Sequence, residues 1–267
     1  MVETGITNSA SRDTIKPMIA TPAPPQQYIA TLADIMVLND KFIQYEFELV
    51  QPNELNFIAG QYASFLVNPN GTRRSYSICS SPSVTHGFEL LIDMEPNGLG
   101  VQFFKNLKNG DEVSFLAPLG RFVINDVPVN DASTGNSSAE SEITLIATGS
   151  GIAPFRSMIL DLLQDKQDQR PVTLYWGMRF VEQLFWLDEF EDLQQSFSNF
   201  KFNPVISKPV PDWPLSRGRV TDVLGVLDCS IQAGYYVCGN PNMVEDIIAL
   251  LGNKGIPVER IHQEKFA

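Results

Sequence analysis

Between residues 126 and 142 the sequence carries no Lys or Arg and is dominated by Asn, Asp, Ser, Thr, Gly, Ala and Glu, and the hydrophobic rhythm differs on its two sides. On the N-terminal side, short runs rich in β-branched and aromatic residues (Ile35–Leu38, Ile43–Val50, Tyr62–Val67, Phe88–Met94, Glu112–Leu116) are separated by turn formers such as Asn-Asp and Pro-Asn-Gly. Strands at this spacing predict a small six-stranded antiparallel barrel, interrupted by a short helix over Val101–Leu107. On the C-terminal side, strands at Ile143–Ala147, Val172–Trp176, Lys201–Ile206 and Tyr235–Cys238 alternate with helical stretches from Pro154, near Glu182–Gln195, near Val220–Val226 and from Asn242 to Leu251, before a last segment Arg260–Phe266. That alternation predicts a parallel sheet covered by helices. The expected organisation is a flexible tail over residues 1–27, a barrel domain over 28–125, a linker or surface loop over 126–142 and an α/β domain over 143–267.

The balance of residues excludes several functions. A net charge of −12 argues against nucleic acid, whose phosphates require clustered Lys and Arg. Three cysteines without CxxC spacing and two histidines hold neither a zinc site nor an iron–sulfur cluster. An odd, small cysteine count suits the reducing cytoplasm, and no run of about 18 apolar residues offers a membrane span. Residues 1–27 are polar and proline-bearing, unlike a secretory signal. A monomer is expected.

Four segments carry candidate chemistry. Thr148-Gly149-Ser150-Gly151-Ile152-Ala153-Pro154 reads as a strand running through a glycine-rich turn into a helix, where backbone N–H groups and the helix dipole can meet a phosphate. Alone, it reads equally well as an ordinary strand-to-helix turn. Arg74-Ser75-Tyr76-Ser77 combines a guanidinium suited to pyrophosphate, an aromatic ring and a hydroxyl. Gly98 and Gly100, with the N–H groups of Gly100, Val101 and Gln102, open the short helix as a second phosphate site. Cys238-Gly239, followed closely by Met243, ends a strand at the carboxyl edge of the predicted sheet, where open α/β folds bind ligands.

In this order the segments resemble the ferredoxin–NAD(P) reductase family over roughly residues 28–267, nearest its oxygenase-reductase branch. Arg74-Ser75-Tyr76-Ser77 matches the family's Arg-x-Tyr-Ser flavin motif, the glycine-rich turn its nicotinamide-dinucleotide motif, and Cys238-Gly239 its Cys-Gly pair. The resemblance implies FAD as cofactor and NADH or NADPH as electron donor. It implies that Arg74 holds the pyrophosphate, Tyr76 lies on the flavin, Ser77 bonds a ring nitrogen, and Ile92 joins the cofactor-binding set. Cys238 would position the nicotinamide, and Glu264 and Phe266 would be the terminal acidic and aromatic pair. Ser77, Cys238 and Glu264 are thus the implied catalytic residues. Val101 and Asp93 depart from the pattern, standing where Ser or Thr and a basic residue are common.

After the second strand of the α/β half, Gly177 and Arg179 are expected at the dinucleotide, and Arg179 or Lys208 could meet a 2′-phosphate. No cluster of the two is evident in sequence, and the likeness of Glu182–Asp188 to the oxygenase-reductase branch tilts the donor toward NADH. Electrons would pass to a separate ferredoxin-type carrier, with Lys105, Lys108 and Arg121 as a possible docking patch. A free-flavin reductase, or a non-catalytic subunit that keeps the flavin fold, remain alternatives.

Overall fold

The computed structural model describes residues 24–125 and 140–266. The N-terminal sheet comprises β1 (Gln26–Val37), β2 (Phe42–Gln51), β3 (Tyr62–Leu66), β4 (Arg73–Ser77), β5 (Gly87–Asp93) and β6 (Glu112–Leu119), with helix α1 (Leu99–Asn106) between the last two. All pairings are antiparallel in the order β4-β3-β6-β1-β2-β5, and a bridge from Ile78 to Leu90 joins the two ends into a barrel. The interior is filled by phenylalanines. Phe88 lies 4.8 Å from Phe115 and 5.2 Å from Phe47, and Phe65 lies 5.2 Å from Phe115, centroid to centroid. Alternation along β2 decides which side chains serve the barrel. Tyr45 and Phe47 point into it, whereas Phe42 and Gln44 face the other half of the molecule.

The second sheet comprises β7 (Glu142–Thr148), β8 (Val172–Met178), β9 (Phe200–Ile206), β10 (Ser216–Arg217), β11 (Ala233–Gly239) and β12 (Ile261–Lys265). It is wholly parallel in the order β10-β9-β8-β7-β11-β12. Helices α2 (Ile152–Leu160), α3 (Leu187–Ser196), α4 (Val220–Val226) and α5 (Pro241–Asn253) cover its faces. Tyr236 and Cys238 of β11 join a core with α2 and α3, while Tyr235 and Val237 join one with α4 and α5, as expected of a strand buried on both sides. The first of these cores also takes in Phe42, Ala59, Cys79 and Leu91 from the barrel. The strand order reverses between β7 and β11, which makes their carboxyl ends the place where a crevice opens.

The barrel and the parallel sheet are as the sequence predicts, with differences at element ends. β1 begins at Gln26, paired with Ala117, two residues inside the stretch that reads as tail; residues 1–23 of that stretch lie outside the described residues. β7 begins at Glu142 and Glu140 is buried, so the end of the 126–142 stretch belongs to the second sheet, whereas residues 126–139 lie outside the described residues. The helix expected near 182–195 is a 3-10 turn over Val181–Gln183 followed by α3, because Trp186 takes a left-handed backbone (φ 54°) that breaks it.

Where the chain passes from barrel to sheet, Glu140 is the hub of a polar knot. Its carboxylate accepts from the Tyr236 hydroxyl (2.7 Å) and Asn125 Nδ2 (3.2 Å) and lies 2.8 Å from His262 Nε2, whose ring stacks on Tyr236. Gly234 makes room for it, since a Cβ there would stand 2.1 Å from Glu140 Oε2. Burial raises the Glu140 pKa, but the bonds from His262 and Tyr236 outweigh it and hold the group below its ordinary 4.5. A carboxylate depressed on folding stabilises the fold above its unfolded pKa and loses that contribution as pH falls through the folded value. Glu140→Gln is therefore expected to cost about 2 kcal/mol at pH 7 and to flatten the loss of stability below pH 4.5. Urea melts of both proteins at pH 7 and pH 4 check this; parallel losses on acidification would count against it.

Candidate functional site

A cleft of about 1090 Å³ opens at the carboxyl ends of β7 and β11 and runs onto the barrel. Its floor is made by two interlocked turns. Thr148 leads into Gly149, whose φ of 56° suits a residue without a Cβ, and the Trp176 indole N–H donates to the Gly149 carbonyl at 3.1 Å. Gly151 packs on the turn after β11 so closely that a Cβ would stand 2.3 Å from the Cys238 carbonyl oxygen. Across the same contact Asn240 N donates to Thr148 Oγ1 at 3.2 Å. The Asn240 side chain then caps α5 by accepting from Asn242 N at 3.0 Å.

The barrel wall is β4 with the start of α1. Arg74, Ser75, Tyr76 and Ser77 all line the cleft. Arg74 donates to the Arg73 carbonyl and, among the described residues, has no carboxylate partner, which suits a guanidinium kept for an anion. The Tyr76 ring stands edge-on to Phe104 at 4.9 Å, and burial, relieved a little by Arg74, pushes its hydroxyl up to about 12. Gly100 is required here, because a Cβ would stand 1.9 Å from the Tyr76 hydroxyl. Gln102, by contrast, spends its N–H on the Gly98 carbonyl (3.0 Å) and its side chain on Asn97. The free donors of that first turn are thus Leu99, Gly100 and Val101, one residue earlier than the sequence reading has them.

Opposite β4, β12 brings Glu264 level with Cys238 of β11, and Phe266 N donates to the Gly239 carbonyl at 3.1 Å. Glu264 is the chemically unusual group. Burial pushes its carboxyl up to about 7 against the pull of a hydrogen bond from Ser77, and its Oε2 is buried without a partner. Ser77 and Glu264, one from each half, both line the cleft. The Cys238 thiol is held well above its ordinary range, first by burial and then by Glu264.

Of the residues singled out in sequence, Arg74, Ser75, Tyr76, Ser77, Gly98, Gly100, Val101, Thr148, Gly149, Ser150, Ala153, Gly177, Arg179, Gly239, Met243, Glu264 and Phe266 are on the cleft wall. Ile92 is not: its side chain is fully buried in the barrel core, between Leu91 and Asp93, which do face the cleft. Gly151, Ile152, Pro154 and Cys238 form the layer behind the wall, and Gln102 lies outside it. Sequence reasoning missed Lys41, which precedes β2 and pairs with Asp93 at 3.4 Å. A basic group thus stands beside Asp93 after all, supplied by a neighbouring strand. The fold also gathers Arg179 and Lys208, whose cationic groups lie 5.2 and 6.0 Å from the one Phe180 ring. Ser207 and Arg219 line the cleft close by. Lys105, Lys108 and Arg121 do not form one patch, because β6 runs between Lys108 and Arg121, eight residues or ~26 Å of strand.

The cleft brings together two helix-opening turns, at Gly98–Val101 and Gly149–Gly151, the Arg74 guanidinium and the Glu264 carboxyl, a donor set that fits phosphate-bearing ligands. Comparison with known proteins agrees. Residues 30–124 match the oxidoreductase FAD-binding domain and residues 145–248 the oxidoreductase NAD-binding domain. The chain is 26% identical over 250 residues to the reductase component of propane 2-monooxygenase from Gordonia sp., covering 91% of this chain and 69% of that one. It is 28% identical over 242 residues to the electron transfer component of toluate 1,2-dioxygenase from Pseudomonas putida, covering 90% and 68%. Among solved structures, the Amycolatopsis cytochrome P450 reductase superposes with a TM-score of 0.78 at 28% identity, covering 91% of this chain and 70% of that one. The chain spans about two thirds of the length of the curated relatives it matches. With its two domains in this order around one cleft, the chain belongs to the ferredoxin–NAD(P) reductase family of FAD- and NAD(P)H-dependent oxidoreductases.

Proposed function

We propose that this chain takes hydride from NAD(P)H onto FAD in the cleft and hands the electrons singly to a separate ferredoxin-type carrier, as the reductase of an oxygenase system. The observation that carries this reading is that Arg74 and Ser77 of the barrel and Gly149, Gly239 and Glu264 of the parallel sheet line one cleft. Bound FAD supplies the ring that accepts two electrons as hydride and releases them one at a time. The rest falls to the protein. Arg74 and the first turn of α1 hold phosphate on the barrel side, and the Gly149–Gly151 turn holds it on the other. Tyr76 and Phe266 bound the flavin site, Ser77 fixes the ring by a hydrogen bond, and the Cys238-Gly239 turn positions the nicotinamide. These three cysteines are too few for a plant-type cluster, so the one-electron carrier lies outside these residues. The oxygenase partnership is taken from the names of the relatives. Among the described residues no helix is long and apolar enough to cross a membrane, and three unpaired cysteines favour a reducing compartment, which we take to be the cytoplasm. We take the chain to be a monomer.

The gathering of Arg179 and Lys208 on Phe180 supports a second reading of the donor. Arg179, which lines the cleft with Ser207 and Arg219, suits the 2′-phosphate of NADPH with Lys208 on the same Phe180 ring, against the tilt to NADH drawn from Glu182–Asp188. Arg179→Ala should then raise the KM for NADPH by about tenfold and leave that for NADH within about twofold. Equal effects on the two donors would return the choice to NADH.

The bleaching of the flavin spectrum on mixing with dinucleotide tests the central reading. Ser77→Ala is expected to slow bleaching by about tenfold or more while the dinucleotide Kd changes far less, since the hydroxyl acts on the ring and leaves the phosphate cradles untouched. Matching losses in rate and affinity would remove the role given to Ser77.

Glu264 predicts a pH signature. Its proton is kept up to about pH 7 in the folded protein and lost near 4.5 when unfolded, so the folded state binds more protons between these values and stability falls as pH rises through that window. Thermal melts from pH 5 to 8 should show a shallower decline in Glu264→Gln; an unchanged slope would mean the carboxyl is not buried as described.

A further inference from the structure

We infer that Arg156 is a positioning residue that sets the approach of the nicotinamide to the flavin by latching the two halves together at the level of the reacting groups. This rests on the reading of the cleft given above. Arg156 lies on α2, two residues beyond Pro154 of the glycine-rich turn, and it reaches into the barrel. Its guanidinium donates to the carbonyl of Cys79, two residues beyond Ser77, at 3.0 Å, and pairs with Glu89 of β5 at 2.5 Å. On its own side Nε lies 2.9 Å from both carboxylate oxygens of Glu189 on α3.

The rest of the seam is built around that contact. Trp186 lies under the guanidinium at 4.7 Å from ring centroid to Cζ, and its indole N–H donates at 3.0 Å to Gln44 of β2. The left-handed backbone of Trp186 is a conformation that a bulky residue keeps only where its surroundings hold it there. Next to it Phe185 packs on Phe42 at 4.9 Å, so the polar latch is flanked by the apolar core the halves share. The side chain of Arg156 is 13% exposed, and it does not line the cleft.

The position of these contacts decides what they do. The flavin-facing wall is carried by β4 and the dinucleotide cradle by the start of α2, and Arg156 ties Cys79 to α2 within two residues of each. A displacement of about 1 Å between donor and acceptor can cost a hundredfold in rate without touching the groups that bind either ligand. Three N–H donors of one planar fork, the Nε–H shared between both Glu189 oxygens and the other two on Cys79 and Glu89, fix both distance and angle, which a Lys ammonium on a flexible stem does not. Arg156 thus governs the geometry of transfer, while phosphate binding is left to the turns.

The test compares wild type with Arg156→Gln and Arg156→Lys, each reconstituted with FAD and mixed with NADH and NADPH in a stopped-flow spectrometer. The expected result is flavin content like wild type, a dinucleotide Kd within about threefold, a bleaching rate lower by about tenfold or more, and a weaker long-wavelength charge-transfer band on dinucleotide binding. Arg156→Lys should fail to rescue, and guanidinium ion added to Arg156→Ala should restore part of the rate. Should the Arg156 variants not accumulate folded, Glu89→Gln, which leaves the guanidinium its other partners, decides by the same readings. A flavin-loaded variant that bleaches as fast as wild type, or one that loses rate and affinity in equal measure, overturns the proposal. Wild-type protein that neither donor bleaches overturns the reading of function and this inference with it.

Discussion

The organisation of this molecule depends on one contact between backbones. At the carboxyl ends of β7 and β11 the turn through Gly151 presses on the Cys238 carbonyl at a distance that no side chain would tolerate, and Gly239, with φ 134°, presses back on Thr148. Only with both glycines do the two turns sit level, so that their N–H groups and the Cys238 strand end share one floor. The parallel sheet supplies the crevice by reversing its strand order there, and the barrel supplies the facing wall. The chemistry is left to bound cofactors, and the protein contributes distance, angle and the exclusion of water.

Much of this was legible in the sequence, for reasons that can be named. The change of rhythm across residues 126–142 separates strands of period two from alternating strands and helices, because burial on one or two faces of a sheet leaves different patterns. Arg74, Tyr76 and Ser77 are readable because a guanidinium, an aromatic and a hydroxyl within four residues of one strand have few structural uses in common. Glycine turns are readable where a strand pattern precedes them and a helical one follows. β10, two residues long, carries no pattern to read, and the start of α3 is hidden because the break lies in the backbone of Trp186, whose residue type gives no sign of it.

At the site itself, what the sequence hides is charge supplied from a neighbouring element. Asp93 stands where a basic residue is common, and register places Phe42 opposite it, so that Lys41 next to Phe42 brings a cation to Asp93 that it shares with Glu95. Arg179 and Lys208 are 29 positions apart and meet because β8 and β9 are paired in parallel and both end at the same edge. Arg156 belongs to the same class, since neither Glu89 nor the Cys79 carbonyl can be matched to it without the fold. Ile92 and Gln102 show the converse. The family resemblance implies Ile92 at the ligand and the helix opening implies Gln102 there, whereas the pleat turns Ile92 into the barrel core and the helix consumes the Gln102 amide N–H.

The knot at Glu140 has an outcome for how such a chain can change. Asn125 and Glu140 are fourteen intervening residues apart along the chain, and their side chains are hydrogen-bonded. Closing a loop on a fixed base costs only a slowly growing entropy as the loop lengthens. The spacing between barrel and sheet is therefore held at that base, where Asn125 at the end of one half and Tyr236 and His262 of the other converge on a single carboxylate, so that its loss would loosen the two halves far from where electrons change hands.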